Sequence, residues 1–326
     1  MKKFRFLLPI AITALSLSGC DFIQVVDSDT DKQVVVDPEV IDEYYKGYNL
    51  NAVGGRLANE LQRNCFDKHT NYVTYGQVNS YFVTNKDHDS AEAVSPGSKT
   101  NQWFYTGKEA TGTGTREHVW PCASSSQLWV HDDNAGVHYV DKSAYVGGGS
   151  DLYHIRTANY DVNTARGNST FVDFSDSEFD GIRSGVEEVT ESGGKYVLKV
   201  QGHSYTDAGK IQFAQKCEPA NEMKGDIARI VTYVWIHYTD RGDVPSGSIT
   251  SGKTQYKFTD MCGQLALTNI IGYESLDKCK EVLKKWNKLD PPSDVEKHRN
   301  DTVQKIQGNR NPFVDYPDLM DQLFNI

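Results

Sequence analysis

The sequence predicts an α+β fold, in which amphipathic helices are combined with short strands. Apolar residues recur at steps of three and four residues over 44–65 and over 276–289, which is the periodicity of helices that bury one face. Over 171–216, by contrast, short runs of alternating apolar and polar residues follow a pair of glycines, which is typical of strands and hairpins. The chain shows no internal repeat, so we expect one domain.

The first 19 residues predict a lipoprotein signal rather than a part of the fold. Three cations precede an apolar run over 6–14, and Leu-Ser-Gly then leads directly to Cys20. The apolar run is too short to span a bilayer. This pattern resembles the bacterial lipoprotein box, so we expect residues 1–19 to be removed, Cys20 to carry the lipid and residues 20–43 to form a tether. An ordinary secretory signal with a chance cysteine is the alternative.

The net charge argues against unassisted binding of nucleic acid, because contacts to phosphate need lysine and arginine. The chain has 44 acidic residues against 34 lysines and arginines, and removal of the signal changes its formal charge from −10 to −13. The charge is uneven, however, since residues 278–310 hold nine cations and five acids. Local charge decides where a polyanion docks, so this segment is a candidate basic surface.

Cysteine usage predicts at least one disulfide bond, because an exported chain folds in an oxidising compartment. With Cys20 set aside, the remaining cysteines are Cys65, Cys122, Cys217, Cys262 and Cys279. Their connectivity cannot be deduced from spacing, and one cysteine must be left over. Cys262 and Cys279 are closest in sequence and are our preferred pair. The chain has no CxxC or HExxH motif, so zinc has no local support.

The middle of the chain predicts short elements separated by turns. The polar stretch 86–115 should be largely loop. Gly147–Ser150 indicates a turn before a short strand over 152–155, and Asp161 can cap the helix that follows. The pair Gly193-Gly194 predicts the turn of a hairpin.

The C-terminal third of the chain predicts three helices. The apolar segment 224–238 is long enough for a buried helix. The amphipathic segment 276–289 ends before Pro291-Pro292, which cannot continue a helix. Ser293, with Glu296 three residues later, forms a capping box that opens the last of the three.

The chemically most informative feature is Glu117 placed directly before His118. A carboxylate offers a hard oxygen to a divalent cation, and an imidazole can take a proton from water. In a flat strand the two side chains would point to opposite faces, so a shared site needs a strand end or a twist, which Pro121 fits. Asn163 and Arg166 would share a helix face, and could add an oxygen ligand and a contact to phosphate.

Each of these residues also has an ordinary structural interpretation. A single histidine is more often a hydrogen-bonding side chain than a catalyst, and Glu117 could be a surface charge. Asn163 could cap the backbone of a helical turn, and Arg166 could be solvated. Their combination, rather than any one residue, predicts metal-assisted hydrolysis of phosphodiester bonds.

These residues lie in motifs through which the chain resembles the bacterial endonuclease I family, secreted or periplasmic nucleases of the ββα-metal (His-Me finger) class. The resemblance covers Tyr44–Leu319. The motifs that carry it are Arg116–Pro121, Asp151–His154, Asp161–Asn163 with Arg166, Glu218-Pro219, Lys224–Arg229, Trp286, Asp290-Pro291, Arg299-Asn300 and Gln307–Phe313.

The resemblance implies a ββα-metal core inside a largely helical domain over 44–326, and it implies a role for each site residue. His118 would be the general base that takes a proton from the attacking water. Glu117 and Asn163 would be the two protein ligands of one Mg²⁺ ion, with Mn²⁺ or Ca²⁺ as substitutes. Arg166, on the same helix face as Asn163, could reach the same phosphate and is our second catalytic candidate.

The resemblance also separates structural residues from contacts to the substrate. Asp226 and Arg229 open the buried helix and should form a structural ion pair. Serines and aspartates replace the basic residues that family members often carry after the first motif. The phosphate contact that these basic residues would make then falls to Arg116, Arg156 or Arg166. Arg310, in the turn that supports the site, is a further candidate for binding the substrate, as are Arg116 and Arg156.

The sequence thus predicts an exported, lipid-anchored, Mg²⁺-dependent endonuclease that cuts DNA, with RNA as a second substrate, to 5′-phosphate products. Contacts to the backbone carry no base information, so sequence preference should be weak. Nucleic acid and the membrane are the predicted partners, and no protein partner is indicated. The alternatives are a non-catalytic surface lipoprotein on the same scaffold and a phosphodiesterase for small or lipid substrates, which the acidic charge favours.

The lipid anchor gives a first testable prediction. Cys20→Ala should release the protein from the membrane fraction and leave nuclease activity in the soluble pool unchanged. One acyl chain binds membranes only marginally, so firm anchorage requires several chains on this cysteine. Cell fractionation measures the effect, and equal membrane partition of the variant and the wild type would reject the anchor.

Overall fold

The computed structural model describes residues 43–82, 90–94, 98, 100–110, 114–121, 146–202, 204–205, 211–213, 215–242, 248–251, 254–257 and 263–325. The proposed signal, the tether and Cys20 lie outside these ranges, as do Cys122 and Cys262. The lipid anchor and the start of the domain at residue 44 therefore stay predictions.

Helices form most of the regular structure in the described residues. The α-helices are α1 Gly54–Lys68, α2 Val78–Phe82, α3 Tyr160–Arg166, α4 Asn221–Tyr238, α5 Leu276–Leu289, α6 Asp294–Gln307, α7 Pro312–Asp315 and α8 Leu319–Leu323. Short 3₁₀ helices cover Glu43–Tyr45, Gly148–Ser150, Ser177–Ile182 and Leu267–Asn269. The three predicted C-terminal helices are confirmed as α4, α5 and α6. No helix in the described part of the chain has the length and apolar character needed to cross a membrane.

Side-chain caps explain where two of the helices begin. Ser293 Oγ accepts the backbone N–H of Glu296 at 3.1 Å and begins α6 as predicted. The prediction that Asp161 caps α3 is wrong, because the side chain of Asn159 accepts the backbone N–H groups of Asp161 and Val162. Asn159 therefore satisfies two of the N–H groups that the start of a helix leaves unpaired.

The strands lie in several small sheets. They are β1 Asn101–Gln102, β2 Glu109–Ala110, β3 Thr115–His118, β4 Ile155–Ala158, β5 Thr170–Phe171, β6 Glu187–Val189, β7 Leu198–Gln201, β8 Ser204–Tyr205, β9 Ile211–Phe213, β10 Lys216–Glu218, β11 Ser248–Ser251 and β12 Thr254–Lys257. One four-stranded sheet has the order β5-β10-β7-β6. In it, β6 and β7 pair antiparallel across the turn predicted at Gly193-Gly194. The strand predicted over 152–155 instead begins at Ile155.

The antiparallel pair β3-β4 and the helix α3 that follows it form a ββα unit, the core that the resemblance implies. Glu117 lies opposite Arg156 in the antiparallel register. All residues of β4 are buried, and Val162 and Ala165 bury one face of α3. The unit therefore brings the candidate residues of β3 next to those of α3.

Helix α4 lies at the centre of the core and packs against α1, α5 and α7. A Cβ at Gly225 would lie 1.8 Å from the carbonyl oxygen of Asp290, so glycine is required where α4 meets the end of α5. The predicted ion pair between Asp226 and Arg229 is confirmed at 3.1 Å. Arg229 also pairs with Glu296, which ties α4 to α6.

The described cysteines are reduced and buried. Cys65, Cys217 and Cys279 carry free thiols. The Sγ of Cys279 lies 3.3 Å from the carbonyl oxygen of Ile271, inside the core. The predicted bridge from Cys279 to Cys262 is therefore wrong in this structure, because the Cys279 side chain is directed inward to a backbone acceptor.

Candidate active site

A buried ion pair between β3 and α3 forms the base of the site. Arg166 Nη1 lies 3.1 Å from Glu117 Oε1, and the two side chains are 0 % and 3 % exposed. Arg166 also donates to the carbonyl oxygens of His118 and Val119. A buried guanidinium needs such acceptors, since an unpaired charge in the interior costs several kcal/mol. These contacts fix the end of β3 to the last turn of α3.

Tyr105 also holds the carboxylate of Glu117. Its buried hydroxyl donates to Oε1 at 2.6 Å. Among the described residues other than glycine, it alone has a positive φ, +74°. Such a backbone conformation costs about 1–3 kcal/mol and persists where the surrounding structure requires it. No motif in the sequence marks Tyr105, so it was not among the predicted site residues.

The two oxygen-bearing side chains predicted as metal ligands lie on adjoining elements. Asn163 Nδ2 donates to the carbonyl oxygen of Arg116 at 3.3 Å, which brings the Asn163 amide beside the residue that precedes Glu117. Because the nitrogen makes this bond, the amide oxygen keeps its capacity as a ligand. One carboxylate and one amide oxygen suit Mg²⁺, which needs few protein ligands. The residues therefore fit the ion that the family implies.

The surroundings of the Glu117 carboxyl change its pKa, and a bound cation would change it further. Burial raises the pKa of Glu117 to about 7, although Arg166 and the hydrogen bond from Tyr105 act in the opposite direction. A positive ion close to a carboxyl stabilises its charged form. A metal ion at Glu117 would therefore favour the ionised side chain that binds it.

His118 is half-buried at the end of β3. Its Nε2 lies 2.8 Å from the carbonyl oxygen of Gly149. A carbonyl oxygen only accepts, so Nε2 carries the proton and Nδ1 keeps the lone pair. Burial, together with the neighbouring His154 and Arg116, lowers the pKa of His118 to about 3. The neutral ring, which can accept a proton, is therefore the resting form.

The turn before β4 supplies the carbonyl groups that orient two histidines. The carbonyl oxygen of Gly149 accepts a hydrogen bond from His118 Nε2. Nδ1 of His154 lies 2.6 Å from the carbonyl oxygen of Gly148. Nε2 of His154 accepts the backbone N–H of Trp120 at 2.8 Å. Gly147 has a φ of +114°, which glycine alone adopts without strain. The sequence predicted this turn but gave no role to its carbonyl groups or to His154.

Arg116 lies on β3, two residues before His118, and borders a cavity. Its guanidinium carbon is 3.7 Å from the centre of the Tyr75 ring, and its Nη1 donates to the Tyr75 carbonyl oxygen at 2.7 Å. The cavity, of about 520 Å³, is lined by Asn79, Trp103, Gly114, Thr115, Arg116, Ala158, Asn159 and Tyr160. These residues include one cation and no acid. A cavity of about 690 Å³ beside Val53 and Arg241 has none of the candidate residues in its lining.

Comparison with known proteins agrees with the motifs and the ββα unit. The model of the family described as Endonuclease I matches residues 52–318. The chain belongs to the endonuclease I family. The extracellular ribonuclease of Bacillus subtilis (strain 168) is 29 % identical to it over 214 residues, which are 65 % of this chain and 54 % of the relative. The extracellular ribonuclease of Bacillus amyloliquefaciens is 29 % identical over 216 residues, 66 % of this chain and 55 % of the relative.

The endonuclease I chain spans about half the length of these curated relatives. The family match confirms the resemblance predicted from the motifs, and the mixed α+β fold agrees with the fold class predicted.

Two of the arginines predicted to bind the substrate of this endonuclease I chain are paired with acids. Arg156 is buried, with its Nε 3.2 Å from Glu92. Arg310 Nη2 lies 2.6 Å from Asp315 Oδ1, and Arg310 Nη1 lies 2.8 Å from Asp301 Oδ1. Both charges are therefore compensated inside the protein, and Arg116 is the candidate that borders a cavity.

The positive charge of the segment 278–310 is largely compensated by acidic side chains. Seven of its nine cations form ion pairs, Lys278–Asp176, Lys280–Asp277, Lys285–Asp173, Lys288–Asp321, Lys297–Asp294, Arg299–Glu92 and Arg310–Asp315. Most of these acids come from other parts of the sequence, so the local count of charges could not show the pairing.

The buried pair gives a prediction about stability. Arg166→Met should lower the free energy of unfolding by about 3–5 kcal/mol, because it leaves Glu117 buried without its partner. Adding Glu117→Gln should recover part of this loss, since the remaining charge is then removed. Urea unfolding measures both effects, with Arg56→Met, exposed on α1, as the control. A wild-type midpoint for Arg166→Met would show that the pair does not hold β3 to α3.

Proposed function

We propose that this chain is an exported, Mg²⁺-dependent endonuclease that cuts RNA and DNA with little sequence preference and leaves 5′-phosphate ends. The observation that carries the proposal is the orientation of His118, whose Nε2 is bound by the Gly149 carbonyl so that Nδ1 is the proton acceptor. Membership of the endonuclease I family supports nuclease activity. The two Bacillus relatives, named extracellular ribonucleases, support export and RNA as a substrate.

His118 acts as the general base in this proposal. Its Nδ1 takes a proton from the water that attacks the phosphorus atom. The positive charge that develops on the ring is stabilised by the hydrogen bond from Nε2 to the Gly149 carbonyl oxygen. The same bond fixes the direction of Nδ1, so the base is oriented before the substrate binds.

Glu117 and Asn163 would hold the Mg²⁺ ion through one carboxylate and one amide oxygen. When bound, the ion would supply positive charge for the phosphate and the departing 3′ oxygen. Arg166 and Tyr105 orient the Glu117 carboxylate from inside the protein. We therefore assign Arg166 a positioning role instead of the catalytic role expected from the sequence, since its side chain is fully buried.

Arg116 is the proposed contact to the substrate phosphate. It is held against Tyr75 and borders the cavity whose described lining contains no acid. In a chain with a net charge of −10, such a local region determines where a polyanion approaches. Phosphate contacts position the substrate without reading its bases, so we expect weak sequence preference.

The use of water as the nucleophile determines the range of substrates. Water attack needs no 2′-hydroxyl, so the same site acts on RNA and on DNA. A non-catalytic lipoprotein would cut neither, and a phosphodiesterase for small substrates would leave polymers intact. Incubation of plasmid DNA and of a single-stranded RNA with Mg²⁺ or with EDTA separates these functions.

The general base gives the main prediction about activity. His118→Ala should reduce the cleavage rate by about 10²–10⁴, because the water loses its proton acceptor while both metal ligands remain. Mg²⁺ and nucleic acid should still bind to the variant. Added imidazole should restore part of the rate if it enters the space left by the side chain.

Cleavage of the two polymers by purified, folded protein tests this prediction, with circular dichroism to show that His118→Ala keeps its structure. A variant that cuts at the wild-type rate would exclude His118 as the base. A wild-type protein that cuts neither polymer with Mg²⁺ would exclude the nuclease itself.

The metal ligands give a further prediction. Glu117→Gln and Asn163→Ala should each raise the Mg²⁺ concentration needed for half-maximal activity, because each change weakens or removes one of two protein ligands. Glutamine keeps the size of Glu117 and so limits the effect on folding. Asn59→Ala, exposed on α1, is the matched control for Asn163→Ala and should keep wild-type Mg²⁺ dependence. Unchanged Mg²⁺ curves for both site variants would show that these residues are not the ligands.

A further inference from the structure

We infer that the protein interior contains a separate structural metal site, formed by His69, Asp151 and His237, that takes a transition-metal ion of the Zn²⁺ class. All three residues are buried, and one ligand atom from each lies within 4.8 Å of the others. They come from distant parts of the sequence. His69 follows α1, Asp151 follows the 3₁₀ turn Gly148–Ser150, and His237 lies in the last turn of α4.

The first support is the state of the two imidazole rings. Both ring nitrogens of His69, and Nε2 of His237, are buried without a hydrogen-bond partner among the described residues. A buried polar atom without a partner costs about 1–3 kcal/mol, so such atoms are few in native proteins. Here three of them belong to two histidines of one cluster. A metal ion would bind a lone pair from each ring and offset part of this cost.

The second support is the charge of Asp151. Other buried acids have a lysine or arginine partner within ion-pair distance: Glu117 pairs with Arg166. Glu296 pairs with Arg229 in the same way. In the described part of the chain, the only basic side chain within ion-pair distance of Asp151 is His237. Its Nδ1 lies 3.8 Å from Asp151 Oδ2. A carboxylate in the interior costs several kcal/mol unless a positive charge compensates it. A divalent ion between Asp151 and the histidines would supply that charge.

The third support is the hydrogen bonding around the carboxylate. Asp151 Oδ2 accepts the hydroxyl groups of Tyr233 and Tyr238, each at 2.7 Å. Oδ1 accepts the Gln307 side-chain amide at 3.1 Å. Carboxylates that bind metals are usually held by such outer hydrogen bonds, which fix their orientation. Asp151 is thus oriented like a ligand by groups that bring no compensating charge.

The donor set determines the class of ion. Two imidazoles and one carboxylate suit Zn²⁺ and similar ions, whereas Mg²⁺ prefers oxygen ligands. Tetrahedral Zn²⁺ with bonds of about 2.0–2.1 Å would place its ligand atoms roughly 3.3 Å apart. Since the ligand atoms lie within 4.8 Å of one another, the side chains must close by at most roughly 1.5 Å to bind the ion. The cluster therefore selects a different ion from the one proposed at Glu117 and Asn163.

The position of the cluster gives the bound ion a structural role. Asp151 comes directly after the turn whose Gly149 carbonyl holds His118. The ion would join this turn to the end of α1 and the end of α4. Because all three ligands are buried, the ion enters as the chain folds, and its binding free energy adds to the stability of the fold.

The test uses the full mature chain, refolded after treatment with EDTA in the presence of Co²⁺, Zn²⁺, Mg²⁺ or no metal. We expect one tightly bound Co²⁺ per chain with visible absorption typical of four-coordinate cobalt, displaced by Zn²⁺ and not by Mg²⁺. Zn²⁺ at a 100-fold excess over its Kd should raise Tm by roughly 5–10 °C. A wild-type protein with no cobalt absorption and no Zn²⁺-dependent rise in Tm would overturn the inference, even if the variants below failed to fold.

Variants separate this cluster from the proposed catalytic metal. His69→Gln and His237→Gln should lose the cobalt absorption and the rise in Tm with Zn²⁺. Asn163→Ala, a change at the proposed Mg²⁺ site, should keep both. Loss of the absorption in Asn163→Ala, with its retention in both histidine variants, would place the ion at the other site and overturn the inference.

Discussion

The ion pair between Glu117 and Arg166 is the constraint on which the candidate site depends. Arg166 is fully buried, and it binds both the carboxylate and the backbone of His118. Helix α3 therefore cannot shift without moving the end of β3. One turn earlier on α3, Asn163 binds the backbone of Arg116. The carboxylate, the imidazole and the amide thus come from one ββα unit whose parts are joined by buried polar contacts.

Burial acts in opposite directions on the two neighbouring side chains of β3. It raises the pKa of Glu117 and lowers the pKa of His118, so it favours the neutral form of each. Glu117 is held by Arg166 and Tyr105, whereas His118 is held by Gly149. Adjacent residues of a strand can therefore serve one reaction in separate roles. In the proposed reaction, the carboxylate would be ionised beside a bound cation, and the neutral imidazole would be the proton acceptor.

The sequence predicted the parts of the structure that depend on local pattern. Periodicity and the capping box of Ser293 predicted α5 and α6, and the motif at Glu117 and His118 made β3 part of the candidate site. Contacts between distant segments had no local signal. Tyr105, which binds Glu117, lies in a stretch that the sequence predicts to be loop. The cations of 278–310 pair largely with acids outside that segment. The buried cluster around Asp151 also has no local pattern in the sequence, because its two histidines are far from Asp151 along the chain.

The central claim is that water, deprotonated by His118, attacks the phosphorus atom. The end groups of the products test it most directly. Wild-type protein with Mg²⁺ would be incubated with single-stranded RNA and DNA oligonucleotides of the same sequence, and the fragments would be identified by mass spectrometry. The account predicts 5′-phosphate and 3′-hydroxyl ends on both polymers. RNA fragments that end in 2′,3′-cyclic phosphate, with the DNA left intact, would contradict it, because the 2′-hydroxyl rather than water would then be the nucleophile.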